Sequence, residues 1–369
     1  MINIGIIRFN RGDLGGIEKQ ILNMVSELSS DMIKFVLITN NDTLFAKEFK
    51  KYGNVYYIDS TKIVKSALEL KKIIKSNKIS IIQTHMLREN YIASIAKIFN
   101  TKFYNIFRIH TYIDCSFISK YKKNIYHIIS HLLSSKVDLY LPINKYNYEE
   151  LVNRSKIKKS KIEIIHDGVK KIENALNTNF NFKDIVMIAN FNYGKGHNVA
   201  IKALNELVKK SNEYNITFVG GDNEINLKDS ILEKSKKLVK ELGLEKNTNF
   251  LGFVDDIGKI IKDKSIIILP SYMEGTPNCL LEAMSAKKIV IASSVGGVPE
   301  FIVDGKTGFL HQSKDYIELA RKISDLQHLE ETKIMEIEEN AYQVWNEEYS
   351  VEAMCTKLKN IYLKEGECN

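Results

Sequence analysis

Residues 265–310 read SIIILPSYMEGTPNCLLEAMSAKKIVIASSVGGVPEFIVDGKTGFL. An unbroken apolar run, Ser265–Leu269, stops at Pro270-Ser271. A six-residue loop follows, Tyr272-Met273-Glu274-Gly275-Thr276-Pro277, and a helical pattern opens near Asn278 and runs to 287. A second apolar run occupies 288–292. Strands that are apolar throughout, instead of alternating, are expected where a parallel sheet is covered on both faces. Strand, helix and strand at this spacing make a βαβ unit.

The same grammar extends in both directions. Behind this stretch the pattern predicts strands at 185–190, 215–220 and 248–252, with helices at 197–211, 227–242 and, further on, 315–327. In the first half it predicts strands at 2–8, 33–39, 55–58, 79–84, 103–109, 138–142 and 162–166, separated by amphipathic stretches such as 17–29, 62–77, 88–99 and 120–135. The two series are parted by the polar stretch Lys170–Lys183, and residues 333–364 read as two helices broken near Tyr349-Ser350. The fold class is therefore α/β: two Rossmann-like domains, 1–175 and 176–345. The C-terminal helix, 346–369, is expected to pack back on the first domain through anchors that include Trp345, Tyr349 and Tyr362. In open parallel sheets ligands sit beyond the carboxyl ends of the strands, so two such sheets facing across a cleft have room for two-substrate group transfer.

Charge is unevenly spread. Residues 1–180 carry a balance of +13 and residues 181–369 one of −5, within a net +8. A basic front half suits an anionic partner met by that half alone, whether a membrane surface, a phosphorylated acceptor or nucleic acid. The alternative is that a Lys-, Ile- and Asn-rich composition simply scatters lysines over solvated faces. No apolar run approaches the ~18–20 residues needed to cross a bilayer. The four cysteines, at 115, 279, 355 and 368, form no close pair, which suits a reducing compartment, and the expected location is cytoplasmic, peripheral at the inner face of a membrane.

Several familiar motifs fail. Gly12-Asp13-Leu14-Gly15-Gly16 does not fit G-x-G-x-x-G, and Gly305-Lys306-Thr307 lacks the first P-loop glycine because Glu300 stands there. No histidine has zinc-ligand spacing and no G-x-S-x-G elbow occurs, so neither a metal nor another cofactor is expected. What remains is the segment quoted first. Asn278 is a favourable N-cap, and amides at Cys279 and Leu280 at the helix start, with the helix dipole, would favour a phosphate oxygen. Glu274 in the loop can reach a sugar-sized ligand, and Glu282 within the helix can accept bonds from vicinal hydroxyls such as those of a ribose.

This segment resembles the E-x7-E signature of retaining, GT-B-type glycosyltransferases of family four, the glycosyl transferases group 1. The resemblance runs through Glu274-Gly275 to Glu282-Ala283-Met284, then Gly296-Gly297-Val298-Pro299-Glu300 and Asp304-Gly305-Lys306-Thr307-Gly308-Phe309-Leu310. It extends to Gly15-Gly16-Ile17-Glu18, Ile164-Ile165-His166-Asp167-Gly168-Val169, Lys195-Gly196-His197, Phe218-Val219-Gly220-Gly221 and Leu251-Gly252-Phe253-Val254. It implies transfer of a sugar from a nucleotide diphosphate sugar, UDP- or GDP-linked, without a metal, to a saccharide or lipid-linked acceptor in surface polysaccharide or glycolipid synthesis. By the same resemblance, Glu282 binds the donor ribose, Glu274 contacts the transferred sugar and Lys195 neutralises the diphosphate. Amides near Gly275, Asn278, Cys279 and Leu280 cradle the distal phosphate, while Val254 sits beside the base and Gly220 and Asn190 line the donor site. Gly15 and Gly16 form the N-terminal glycine loop. His110 is expected near the transferred sugar, with His85 close by.

One position departs from the family pattern: Asn190 stands where an arginine is usual, which removes one of two diphosphate cations. Arg8 or Arg11 could replace it. Residues 120–136, KYKKNIYHIISHLLSSK, read either as a helix covering the sheet or as a face that docks on an anionic bilayer, with Tyr121, Lys122, Lys123 and Tyr126 beside an Ile/Leu stripe. Nucleic acid is not an expected partner. Two alternatives to a transferase are a sugar-nucleotide epimerase on the same fold and a non-catalytic nucleotide-sugar-binding subunit.

Overall fold

The computed structural model describes residues 1–9, 14–110, 120–173, 180–222 and 230–367. The chain divides into two compact units. The first joins Met1–Gly168 to Ser350–Asn369, and the second is Val169–Tyr349.

In the first unit the chain alternates as the apolar runs predict. The order is β1 (Ile2–Ile7), α1 (Gly16–Leu28), β2 (Ile33–Thr39), α2 (Leu44–Phe49), β3 (Gly53–Tyr57), α3 (Ile63–Ser76), β4 (Ile81–Thr84), α4 (Leu87–Ile98), β5 (Tyr104–Ile109), α5 (Lys120–Leu133), β6 (Leu139–Pro142) and α6 (Lys145–Asn153). The six strands are parallel, in the order β3-β2-β1-β4-β5-β6. The strand expected at 162–166 does not form. Ile162 bridges Tyr140, and the amides of Glu163 and Ile165 donate to the carbonyls of Tyr140 and Pro142. Pro142 has no N–H to return, so the ladder stops.

The second unit repeats the plan with β7 (Asp184–Ile188), α7 (His197–Val208), β8 (Asn215–Val219), α8 (Ile231–Glu241), β9 (Thr248–Gly252), α9 (Ile257–Lys262), β10 (Ile266–Leu269), α10 (Asn278–Ser285), β11 (Ile289–Ser293), β12 (Phe309–His311), α11 (Tyr316–Asp325) and α12 (Glu331–Val344). Its sheet is parallel in the order β12-β11-β10-β7-β8-β9. Strands β7, β10 and β11 are buried almost throughout, as their Ile/Val content requires. In both sheets chain order reverses beside the first strand, between β1 and β4 and between β7 and β10. Ligands of open α/β sheets bind at such switch points, past the carboxyl ends of the strands.

Two boundaries move from their expected places. The seam falls at Gly168/Val169 and not near 175, because Val169 is buried in the apolar layer of the second unit, with Ile172 packed against it. At the other end Trp345 and Tyr349 belong to that same layer, in a short π-helical turn after α12, and Tyr349 packs on Phe301 at 5.4 Å. They are not anchors on the first unit. Only α13 (Val351–Glu367) returns there, placing Val351, Met354, Cys355, Leu358, Ile361 and Tyr362 among the buried side chains of β1, β2, β4 and α1.

If α13 is part of that core, Leu358→Ala lowers unfolding stability by about 2–5 kcal/mol. Lys359→Ala, on the exposed side of the same helix, changes it by less than about 0.5 kcal/mol in the same denaturant titration.

Candidate active site

The two loops that follow β7 and β10 meet at the switch point of the second unit. The amide of Tyr272 donates to the carbonyl of Gly194 at 2.8 Å. Two glycines let the backbones come this close. A Cβ on Gly196 (φ 74°) would lie 2.0 Å from the Pro270 carbonyl oxygen, and one on Gly296 (φ 55°) would lie 1.8 Å from that of Glu274. Neither position has room for a side chain, and both need a backbone that disfavours one.

The clamp brings Lys195 and Glu274 together. Lys195 ends a short 3-10 turn in which the Asn192 side chain accepts from the Gly194 amide. Its Nζ lies 2.7 and 3.0 Å from the two carboxylate oxygens of Glu274, and the Ser271 hydroxyl donates to Oε1 at 2.6 Å. The Glu274 side chain is 7% exposed and that of Lys195 is 28% exposed, so the carboxylate is the deeper partner of the pair. Burial pulls Lys195 down, but Glu274 outweighs it and holds the ammonium above its usual range. Burial, reinforced by Glu274, pushes the Cys279 thiol up to about 12, so this cysteine stays protonated and is no nucleophile.

α10 begins at Asn278, where the pattern places it, but its cap differs. Pro277, and not Asn278, is the N-cap, and the Leu280 amide donates to the Pro277 carbonyl. Leu280 N–H is therefore spent within the turn and is not offered to a phosphate. The positive end of the helix dipole still lies directly after the Glu274–Gly275 loop. Glu282 sits in the second turn of α10, half-buried, with Gly275 and Val254 also half-buried. Asn190 does not supply the missing cation: its side-chain carbonyl accepts from the Gly221 amide at 3.2 Å, joining the turns after β7 and β8, where Gly220 donates to the Gly252 carbonyl.

In the first unit, Gly15 is the N-cap of α1 and Gly16 its first residue; the Gly15 amide donates to Glu18. Arg8 is already committed, with its Nε 2.6 Å from Glu18 and Nη1 3.6 Å from Glu89. It fastens the start of α1 and is not a spare cation, and Arg11 lies outside the described residues. His85 and His110, at the ends of β4 and β5, are buried and bonded to each other, Nδ1 to Nε2, at 2.9 Å. His110 Nδ1 reaches Asp167 at 2.8 Å, and Arg108 donates to the other Asp167 oxygen at 2.7 Å. Sequence reasoning did not single out Asp167, Arg108 or Ser271 as functional. Asp167 stood inside a quoted motif, and Ser271 lay three residues before Glu274. Among the described residues no three His, Cys, Asp or Glu side chains are grouped to hold a metal ion, and no helix is long and apolar enough to cross a membrane.

Twin parallel sheets of one strand order are the GT-B glycosyltransferase fold. Residues 169–344 match the family model of glycosyl transferases group 1 and residues 14–171 that of glycosyltransferase family 4; the chain belongs to these GT-B glycosyltransferases. It is 28% identical over 336 residues to the N-acetylgalactosamine-N,N'-diacetylbacillosaminyl-diphospho-undecaprenol 4-alpha-N-acetylgalactosaminyltransferase of Campylobacter jejuni, covering 84% of this chain and 86% of the relative. Among solved structures it resembles a glycosyltransferase from Rickettsia africae (TM-score 0.85, 22% identity, 99% and 98% of the two chains). It also resembles HepE of Anabaena in complex with UDP (TM-score 0.85, 16% identity, 99% and 100%).

Burial would raise the Asp167 carboxyl, but His110 and Arg108, both hydrogen-bonded to it, override burial and hold it far below its ordinary 3.8. A depressed carboxylate adds stability that is present above the unfolded value and drains away as pH falls below it. Asp167→Asn is expected to cost about 3–5 kcal/mol at pH 7, because Arg108 is left buried without its counter-charge. The gap between wild type and variant should shrink as denaturant titrations move from pH 5 toward pH 2.

Proposed function

We propose that this protein is a retaining glycosyltransferase that moves a sugar from a nucleotide diphosphate sugar, with UDP- and GDP-sugars favoured, to a saccharide or lipid-linked acceptor. The observation that carries the reading is the Lys195–Glu274–Ser271 cluster at the β7/β10 switch point, set against the start of α10. As the glycosidic bond breaks, negative charge gathers on the leaving diphosphate. A fixed ammonium and a helix terminus stabilise that charge with little reorganisation and without a metal. Asn190 adds no charge here, so among the described residues Lys195 is the cation assigned this duty, and the phosphate must share it with Glu274.

The sugar becomes oxocarbenium-like. Retention is assigned to front-face attack: the acceptor oxygen bonds to the anomeric carbon on the face the diphosphate leaves, and the acceptor proton passes to a donor phosphate oxygen. Glu274 is tied to Lys195 and Ser271, and Cys279 is kept protonated, so neither side chain is poised to form a glycosyl-enzyme. Glu282 would hold the ribose hydroxyls, Val254 would lie beside the base, and the first unit would take the acceptor. The Campylobacter relative is named for an alpha linkage and a diphospho-undecaprenol-linked saccharide, and the Anabaena neighbour holds UDP, which favours surface-glycan synthesis and a uridine donor here.

Thermal-shift titration with UDP-, GDP-, ADP- and dTDP-sugars tests the donor site. A cognate donor at a hundred times its Kd adds about 2.7 kcal/mol of stability. Lys195→Ala should lose about 2–5 kcal/mol of that affinity. No stabilisation by any donor, or a covalent glycosyl-enzyme trapped on Glu274, would overturn the assignment.

The same reading places the enzyme at an anionic membrane surface. On α5 the side chains of Ile125, Ile128 and Leu132 are exposed, the last at 70%, and their spacing puts them on one side of the helix. The side chains of residues 120–123 and 126 lie outside the described ones. With the basic balance of the first half, this stripe suits a headgroup region. Wild type should co-sediment with phosphatidylglycerol vesicles in low salt. Leu132→Asp should release it, and binding that ignores both salt and this substitution removes α5 as the docking face.

A further inference from the structure

The buried histidine pair of the first unit belongs to a longer chain of hydrogen bonds. The Tyr362 hydroxyl, on α13, donates to Gln83 Oε1 at 2.6 Å. Gln83 Nε2 lies 3.1 Å from His85 Nε2 and 3.7 Å from the Met24 sulfur. His85 Nδ1 meets His110 Nε2, and His110 Nδ1 meets Asp167, whose other oxygen is held by Arg108. Gln83, His85, His110, Arg108, Asp167 and Tyr362 are all buried.

With His110 neutral, counting donors fixes the protons. Asp167 is an ionised acceptor, so the neutral His110 ring carries its proton on Nδ1 and offers Nε2 as an acceptor. That acceptor is filled by His85 Nδ1–H, which leaves His85 Nε2 to accept from the Gln83 amide N–H. The amide is oriented from its far side: its oxygen takes the Tyr362 hydroxyl proton, which turns its N–H groups toward His85 Nε2 and the Met24 sulfur. Burial, with His110, Arg108 and Arg8 nearby, holds His85 well below its ordinary range, so it stays neutral. The other charged group close by, Glu89, accepts the backbone amides of His85 and Met86 and leaves the ring nitrogens alone.

We propose that Gln83 and Tyr362 are positioning residues that lock His85 and His110 in their Nδ1–H tautomers, so that His110 has no ring nitrogen free for acid–base work. Its ring orients Asp167 and the end of β5. This deepens the transferase reading and rests on it in one respect: with His110 closed to the acceptor's proton, the donor phosphate is left to take it.

Nitrogen-15 NMR of histidine-labelled full-length protein tests the lock without any substrate. Wild type at neutral pH should show both rings as Nδ1–H tautomers, assigned through single His→Gln variants. Tyr362→Phe removes only the hydroxyl and should split His85 between tautomers. Gln83→Glu replaces a donor by an acceptor and should move a proton onto His85 Nε2. In the transferase assay Gln83→Glu should lower kcat by about tenfold, the scale of a lost orienting hydrogen bond, with donor KM within about twofold. An Nε2–H tautomer on either ring in wild type overturns the proposal, as does a reversed tautomer with unchanged kcat. Absence of transfer by wild type with every donor bears instead on the function proposed above, and the wild-type spectrum still decides the lock.

Discussion

The geometry of the candidate site in the second unit depends on one hydrogen bond between loops, from the Tyr272 amide to the Gly194 carbonyl. It joins the segments that leave β7 and β10, the two strands on either side of the reversal in chain order. Without it Lys195 and Glu274, 79 residues apart in sequence, would sit on independent loops. The glycines at 196 and 296 serve the same purpose, since each is pressed against a carbonyl of the β10 loop where a methyl group would collide. A site held this way is preorganised by backbone packing and owes little to side-chain flexibility.

The ion pair also sets the electrostatic character of the candidate site. Lys195 is a compact point charge whose partner, Glu274, is nearly buried and braced by Ser271. An arginine at position 190 would have needed its own counter-charge or solvent. Asn190 instead satisfies a backbone amide and stiffens the junction of β7 and β8. The chain has thus exchanged a second positive group for a firmer frame around the first.

Much of this was legible in the residues. Among the described residues the sequence pattern located eleven of the twelve strands, most readily β7, β10 and β11, which are apolar and buried almost throughout, as strands covered on both faces must be. β12 escaped notice because three residues make no pattern, and α2, α6 and α9, at six, nine and six residues, are too short to show a period. The E-x7-E run pointed to the site since both glutamates lie in one continuous segment. What stayed hidden were partnerships across distance. Tyr362 and Gln83 are 279 residues apart, and no local signal joins a tyrosine in a terminal helix to a glutamine in a central strand. Arg8 looked like a spare cation because its partners, Glu18 and Glu89, are assembled only when α1 and α4 take their places beside β1.

The return of α13 has a bearing on how the chain comes into being. The first sheet is synthesised first, yet Leu358 and Tyr362 of its interior are made only after the whole second unit. While the ribosome works through Val169–Tyr349, the leading unit must wait with part of its interior uncovered. The trailing unit, whose residues are contiguous, has everything it needs as soon as it emerges. The order of birth and the order of completion are therefore reversed, and a message cut short just after Tyr349 would yield a finished second unit attached to an unfinished first one.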